Sequence, residues 1–180
     1  MTGILFAAGF EEVEAVTPLD FLRRAGIDTV SVGLNKKNII GSHGIEINCD
    51  VCLEADIPRL DSIIIPGGMP GAKNIAESAK AREIISSIYR NHGLIAAICA
   101  APAVVLAPMG ILDGKTATCF PGFEERFSNS TNFSEDRVVV DANIITSRAA
   151  GTAAEFALTI ITYLKDPETA KKIHNVTLQK

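Results

Sequence analysis

Short apolar runs alternate with amphipathic segments along the chain. β-branched or alternating runs predict strands, and apolar positions three and four residues apart predict helices. The predicted strands are Gly3–Ala8, Ile27–Gly33, Asp61–Pro66, Leu94–Ile98, Lys115–Phe120, Arg137–Asp141 and Asn143–Thr146. The predicted helices are Glu11–Ala25, Pro70–Ser78, Ala81–Asn91, Ala100–Pro108, Thr152–Leu164 and Pro167–His174. Ile39–Leu53 reads as extended or hairpin structure because Gly41 and Gly44 punctuate it.

Strands that alternate with helices indicate an α/β fold in which a mostly parallel sheet is covered on both faces. No repeat, low-complexity tract or long linker interrupts the pattern, so residues 1–180 are predicted to form a single domain. Ligands of such sheets bind beyond the carboxyl ends of the strands. The residues that directly follow each apolar strand are therefore the candidates for chemistry.

Composition and charge narrow the function classes. The 180 residues include 17 Lys plus Arg and 21 Asp plus Glu, a net charge of −4, and no Trp. A nucleic-acid partner needs a basic surface or aromatic stacking platforms, so that class is not expected. The first ten residues lack a basic n-region and run into two glutamates, so we expect a cytoplasmic protein with reduced cysteines.

Twenty consecutive residues, Gly93–Leu112, carry no charge. That length is enough to span a bilayer. Two prolines, Pro102 and Pro108, interrupt any single helix in it. We therefore interpret the run as a buried strand followed by a helix, and we expect no membrane association.

Cys99 lies between the predicted strand Leu94–Ile98 and a helix that begins with small residues. This is the arrangement of a nucleophile elbow, with a cysteine as the nucleophile. The positive end of the following helix is expected to lower the pKa of the thiol. The alternative is an inert cysteine in a core helix.

Two other strand ends supply partners for this thiol. Gly67 and Gly68 follow an apolar strand, and with Ala100 their N–H groups form a candidate oxyanion hole. Glu14 follows the first strand and is the candidate proton acceptor. Pro18, four residues later, is expected to bend or restart the helix and keep Glu14 near the top of the sheet.

The remaining cysteines and histidines give weaker signals. Cys49 and Cys52 have the spacing of a zinc or redox pair, but no second pair follows, so we expect no metal site and no cofactor. His43 is either a pocket residue or part of a solvated loop, and we favour the loop. His174, in the polar C-terminal part, is the one histidine after Cys99, so no Cys–His pairing is apparent.

Four segments together resemble the ThiJ/PfpI family, in the branch of the parkinsonism-associated protein deglycase and bacterial YajL. The segments are Ala7–Gly26, Ile63–Ile75, Gly93–Ala107 and Thr146–Leu158. The resemblance implies a flavodoxin-like three-layer sandwich, related to class I glutamine amidotransferases, that forms a homodimer. It also implies that Cys99 is a reactive, oxidation-prone thiol, hydrogen-bonded to Glu14 and flanked by backbone donors at Gly68 and Ala100.

The sequence departs from parts of that family at two positions. Ala100 stands where the protease-like branch has a histidine, so peptidase activity is not expected. Phe120 stands where the deglycase-like branch often has a histidine before the proline. Cys119, beside it, either resolves an oxidised Cys99 or simply packs.

The resemblance implies a cysteine-dependent stress-response protein that acts on reactive carbonyls. Its substrate would be a small aldehyde such as methylglyoxal, or a glycated molecule. The alternative is an oxidative-stress sensor or redox-regulated chaperone that works through oxidation of Cys99 without significant turnover.

Overall fold

The computed structural model describes residues 1–55 and 57–180. Its strands, in chain order, are β1 (Thr2–Phe6), β2 (Thr29–Gly33), β3 (Asn38–Ile40), β4 (Glu46–Asn48), β5 (Val51–Cys52), β6 (Ser62–Ile65), β7 (Leu94–Ile98), β8 (Thr116–Ala117), β9 (Asn132–Phe133), β10 (Val138–Asp141) and β11 (Ile144–Ser147). Its α-helices are α1 (Glu12–Arg24), α2 (Gly71–Glu77), α3 (Ala79–Arg90), α4 (Ala153–Leu164) and α5 (Pro167–Val176). A π-helix spans Pro102–Leu106.

Seven strands form the main sheet in the order β10-β11-β7-β6-β1-β2-β5. All neighbours pair in parallel except β10 and β11, which form an antiparallel hairpin. The hairpin turns at Ala142, which has φ 53°. The predicted mostly parallel α/β sheet is confirmed, and the order of the five central strands is that of flavodoxin.

Helices cover both faces of this sheet because successive strand residues point to opposite sides. On β1, Leu5 belongs to the apolar core that includes Ile85 of α3. Phe6, the next residue, belongs to a second core that includes Phe156 of α4. The helices α1, α4 and α5 line the second core, and α2, α3 and the π-helix line the first. The result is the three-layer sandwich that the resemblance implies.

The uncharged run Gly93–Leu112 is a buried strand followed by a helical segment, as predicted. All five residues of β7 and all five residues of the π-helix are buried. The helix is wound as a π-helix and ends in a 3-10 turn at Ala107–Met109, whereas the sequence pattern predicted an ordinary α-helix. In the described part of the chain, no helix combines the length and apolar character needed to cross a bilayer.

The helix α1 continues through Pro18 and does not restart there. One other local prediction differs from the structure. The predicted strand Lys115–Phe120 is reduced to Thr116–Ala117, which pairs with β9 in a separate two-stranded sheet. Beyond it, the Phe120 N–H donates to the Cys99 carbonyl instead of continuing a ladder.

Candidate active site

The segments after β1, β6 and β7 meet at one point, because these three strands are neighbours in the sheet. Gly67, after β6, marks the meeting point. A Cβ atom on this glycine would lie 2.6 Å from Cys99 Cβ and 2.7 Å from Glu14 Oε2. Glu14 after β1, Gly67 after β6 and Cys99 after β7 therefore lie in contact with one another.

Cys99 lies on a strained turn between β7 and the π-helix. Its φ of 64° is in the left-handed region, which costs a residue with a side chain on the order of 1 kcal/mol or more. Two backbone hydrogen bonds hold this conformation. The Cys99 N–H donates to the Ser147 carbonyl at 2.9 Å, and the Cys99 carbonyl accepts from the Phe120 N–H at 2.8 Å. The thiol is half-buried, at the edge of both apolar cores.

Glu14 is placed by the start of α1. The Glu11 side chain caps the helix by accepting from the Glu14 N–H at 2.8 Å. The Glu14 side chain is only 1% exposed, and its Oε2 accepts from the Gly67 N–H at 3.0 Å. The Ala150 N–H and the Cys99 thiol also act on this carboxyl and lower its pKa. The carboxyl is thus held beside the cysteine at Gly67.

Burial makes both members of this pair hard to ionise. Desolvation first, and then the charge of Glu11, raises the pKa of Glu14 to about 7. Desolvation, and then the charge of Glu14, raises the pKa of the Cys99 thiol to about 12. The N–H groups of Gly68 and Ala100 act in the opposite direction.

Burial and the adjacent Glu14 carboxyl shift the pKa of Cys99 upward, the opposite direction from the one expected of a helix end. The helical segment after Cys99 is short, with a π-helix at Pro102–Leu106. A neighbouring carboxylate that accepts the thiol proton would activate such a thiol.

The two glycines have different roles. The Gly67 N–H, a candidate oxyanion-hole donor, donates to Glu14 Oε2 at 3.0 Å. The Gly68 and Ala100 N–H groups act on the Cys99 sulfur and lower the pKa of the thiol. Gly68 has φ 83°, and a Cβ there would collide with the Glu11 backbone nitrogen. This position therefore requires glycine.

Cys119 and Phe120 lie directly beside the Cys99 turn. Cys119 is fully buried, and its pKa is raised to about 12 by burial and by the charge of Glu124, while Arg148 acts to lower it. The Phe120 side chain is 41% exposed, and its backbone bond to Cys99 fixes its place. This burial favours a packing role for the Cys119 thiol over the alternative of resolving an oxidised Cys99.

His43 lies on the turn between β3 and β4, with 70% of its side chain exposed, as the loop interpretation expected. Its Nδ1 lies 2.8 Å from Glu12 Oε2. Among the described residues, Glu11, Glu12 and His43 are the one group whose potential ligand atoms all lie within 4.8 Å of one another. The Glu12 oxygens already accept from protein donors, so we interpret this group as a structural tie rather than a metal site. Cys49 and Cys52 are free thiols.

Sequence reasoning missed the contribution of the segment after β11. Its Ala150 N–H lowers the pKa of Glu14, and its Ser147 carbonyl accepts a hydrogen bond from the Cys99 N–H. Nearby, three buried side-chain atoms lack a hydrogen-bond partner within the described residues: Thr118 Oγ1, Glu124 Oε2 and Arg148 Nη1. The signal was available, because this segment follows a strand that is adjacent to β7 in the sheet.

A doubly covered parallel sheet with a strained cysteine at a strand end, paired with a buried glutamate, defines a class of α/β proteins built around a nucleophile elbow. Residues 3–163 match the model of the DJ-1/PfpI family. The chain therefore belongs to the DJ-1/PfpI family, which confirms the ThiJ/PfpI resemblance.

Relatives and solved structures agree with this assignment. The Parkinson disease protein 7 homolog of Danio rerio is 40% identical over 175 residues, covering 94% of this chain and 92% of that protein. The glutathione-independent glyoxalase DJR-1.2 of Caenorhabditis elegans is 34% identical over 165 residues, covering 91% and 87%. The structure of oxidized Toxoplasma gondii DJ-1 superposes with a TM-score of 0.93 at 38% identity, covering 98% of this chain and 97% of that one.

Proposed function

We propose that this protein is a cysteine-dependent, cofactor-independent glyoxalase of the stress response, which converts 2-oxoaldehydes such as methylglyoxal into 2-hydroxy acids. The convergence of Cys99 and the buried Glu14 carboxyl at Gly67 is the observation that carries the proposal. The glyoxalase name of the Caenorhabditis elegans relative supports the same reaction class. Release of glycated groups, the deglycase reaction, uses the same attack on a carbonyl carbon.

The first step forms a bond between sulfur and carbon. Ionised Glu14 accepts the thiol proton as the Cys99 sulfur attacks the aldehyde carbon, and the carbonyl oxygen then takes that proton to give a hemithioacetal. The Gly68 and Ala100 N–H groups face the sulfur and are placed to stabilise the oxygen as it gains charge. Glu14 is ionised again after this step.

The second step moves a proton between two carbons. Glu14 takes the proton from the former aldehyde carbon and returns it to the neighbouring keto carbon, while the hydroxyl proton of the hemithioacetal passes to the keto oxygen. The first carbon is thereby oxidised to a thioester and the second is reduced to an alcohol, so no external redox agent is needed. Water then cleaves the thioester, which releases the 2-hydroxy acid and restores the Cys99 thiol.

Product analysis without glutathione tests the proposed reaction. The protein is incubated with a large molar excess of methylglyoxal, and NMR follows methylglyoxal and lactate. We expect lactate to form in many equivalents per protein chain. Loss of methylglyoxal limited to about one equivalent per reactive side chain, with no lactate, would mean that the protein forms adducts and does not turn over.

Oxidation of Cys99 is the second candidate function. One solved relative, Toxoplasma gondii DJ-1, is described in an oxidized form. In this chain, the N–H groups of Gly68 and Ala100 and the Glu14 carboxyl surround the sulfur and suit an oxidised, oxygen-bearing thiol. Peroxide titration with peptide mass spectrometry tests this function. Selective gain of two oxygen atoms on Cys99 supports a sensor role, and equal oxidation of Cys52 excludes one.

We also propose a cytoplasmic homodimer. Exposed apolar side chains occur on one face of α1, at Val13 and Val16, and on the hairpin that contacts its start, at Ile40 and Ile45. Their exposed fractions of 38–54% favour a covering partner. Light scattering tests the dimer, and an Ile45→Glu variant is expected to shift it toward the monomer.

Peptidase activity is not proposed, because Ala100 stands where a histidine partner would follow the cysteine.

A further inference from the structure

Glu12 holds the turn between β3 and β4, residues 41–45. Its Oε1 accepts from the His43 N–H at 2.7 Å and from the Ile45 N–H at 3.5 Å. Its Oε2 accepts from Ser42 Oγ at 3.2 Å and lies 2.8 Å from His43 Nδ1. A Cβ on Gly41 would collide with this carboxyl, so the turn packs directly on the start of α1.

Backbone bonds connect the same turn to the candidate active site. The Gly9 N–H donates to the Ile40 carbonyl at 2.9 Å, and the Ser42 N–H donates to the Phe10 carbonyl at 2.8 Å. On its other side, the segment 9–11 lies against Gly68, where an added Cβ would lie 2.7 Å from Gly9 O and from the Phe10 carbonyl carbon. The backbone of segment 9–11 therefore separates the turn from Gly68, whose N–H acts on the Cys99 sulfur.

The turn also places the His43 imidazole near the Glu11 carboxylate, whose charge raises the pKa of Glu14. His43 Nδ1 lies 4.0 Å from Glu11 Oε1. The hydrogen bond and charge of Glu12, with a smaller effect of Glu11, raise the pKa of His43. Glu11 in turn contributes to the raised pKa of Glu14. These two carboxylates, in the N-cap and first turn of α1, are the charged groups that face His43 in the described structure.

We propose that His43 is a positioning residue for the Cys99 and Glu14 pair, which fixes the hairpin turn on segment 9–12 and offsets the charge of Glu11. This inference rests on the proposed function, because it concerns the proton that Glu14 must accept. When His43 carries a proton, Glu11 is partly neutralised and Glu14 ionises at lower pH. When the imidazole is absent, Glu14 keeps its proton to higher pH and Cys99 is less reactive.

Alkylation of Cys99 by iodoacetamide tests this role without requiring turnover. Rates from peptide mass spectrometry are measured between about pH 5 and 9 for the wild type and for His43→Gln, His43→Arg and His174→Gln. The His43→Gln variant is expected to react about threefold more slowly below neutral pH, with its rising limb shifted upward, because an exposed charge pair has a modest effect. His43→Arg is expected to retain the wild-type rate there, and His174→Gln, on α5, is the control.

Salt separates an electrostatic effect from a purely structural one. In about 1 M NaCl the difference between wild type and His43→Gln is expected to shrink, because exposed charges are screened. Superimposable pH profiles for wild type and His43→Gln overturn the inference, and so does an equal shift in His174→Gln. If methylglyoxal is not turned over and the profiles still differ, the proposed function fails while the inference about the pair stands.

Discussion

Cys99 and the buried Glu14 carboxyl converge on Gly67, where a Cβ atom would lie 3.0 Å from Cys99 Sγ and 2.7 Å from Glu14 Oε2. Burial makes both groups hard to ionise, and their pKa values are raised to about 12 and about 7. This pairing suits a reaction that adds a thiol to a carbonyl and then moves a proton between carbons.

We predict that Gly67→Ala abolishes most of the methylglyoxal turnover. Its Cβ would lie 2.6 Å from Cys99 Cβ and 2.7 Å from Glu14 Oε2, so the pair must move apart. Overpacking of this kind also costs about 1–3 kcal/mol of stability. Gly151→Ala is the matched control, because a Cβ there meets nothing within 4 Å. Equal activity in the two variants would contradict the proposed geometry.

We predict that Glu14 makes stability depend on pH. Its pKa is raised from 4.5 to about 7, so the folded state holds the proton more tightly than the unfolded chain does. The stabilising contribution is complete below about pH 4.5 and is lost as pH rises through 7. Relative to Glu14→Gln, the wild type should lose on the order of 3 kcal/mol between these limits.

Urea denaturation at about pH 4 and 8 measures this difference. Glu168→Gln, an exposed substitution on α5, is the control and should follow the wild type at both pH values. A constant stability difference between wild type and Glu14→Gln at the two pH values would show that Glu14 is not buried in its neutral form.

We predict the opposite pH dependence for Glu12. Burial alone would raise its pKa, but the hydrogen bonds from the His43 side chain and backbone lower it from 4.5 to about 2. Its stabilising contribution is therefore present above about pH 4.5 and is lost as pH falls through 2. Glu12→Gln should lower the melting temperature at neutral pH and have a smaller effect near pH 2. A uniform effect across this range would rule out an ionic tie to the hairpin turn.

Much of the fold could be predicted because the apolar pattern matches the burial it produces. The strand Leu94–Ile98 has the predicted bounds, since an uncharged, fully buried run is typical of the centre of a parallel sheet. The segment 115–120 was overestimated because its strand pairing ends at Ala117, where the chain turns to bind the Cys99 carbonyl. Such a contact between distant segments leaves no trace in local periodicity.

The candidate site was predictable where strand ends mark it. Cys99, Glu14 and Gly68 each follow a strand of the central sheet, and the structure brings them together. The role of Gly67 and the raised pKa of Cys99 could not be read from the sequence. Both depend on the depth at which the Glu14 carboxyl is buried, which is set by the packing of α1 against the rest of the fold.

The rate of methylglyoxal turnover in cysteine variants tests the central claim most directly. We predict that Cys99→Ser lowers kcat/KM by at least about a hundredfold, because the hydroxyl cannot replace the thiol as nucleophile beside Glu14. Cys119→Ser, which changes the buried neighbouring thiol, should keep near wild-type turnover. Full turnover in Cys99→Ser, or its loss in Cys119→Ser alone, would contradict the assignment of Cys99 as the nucleophile.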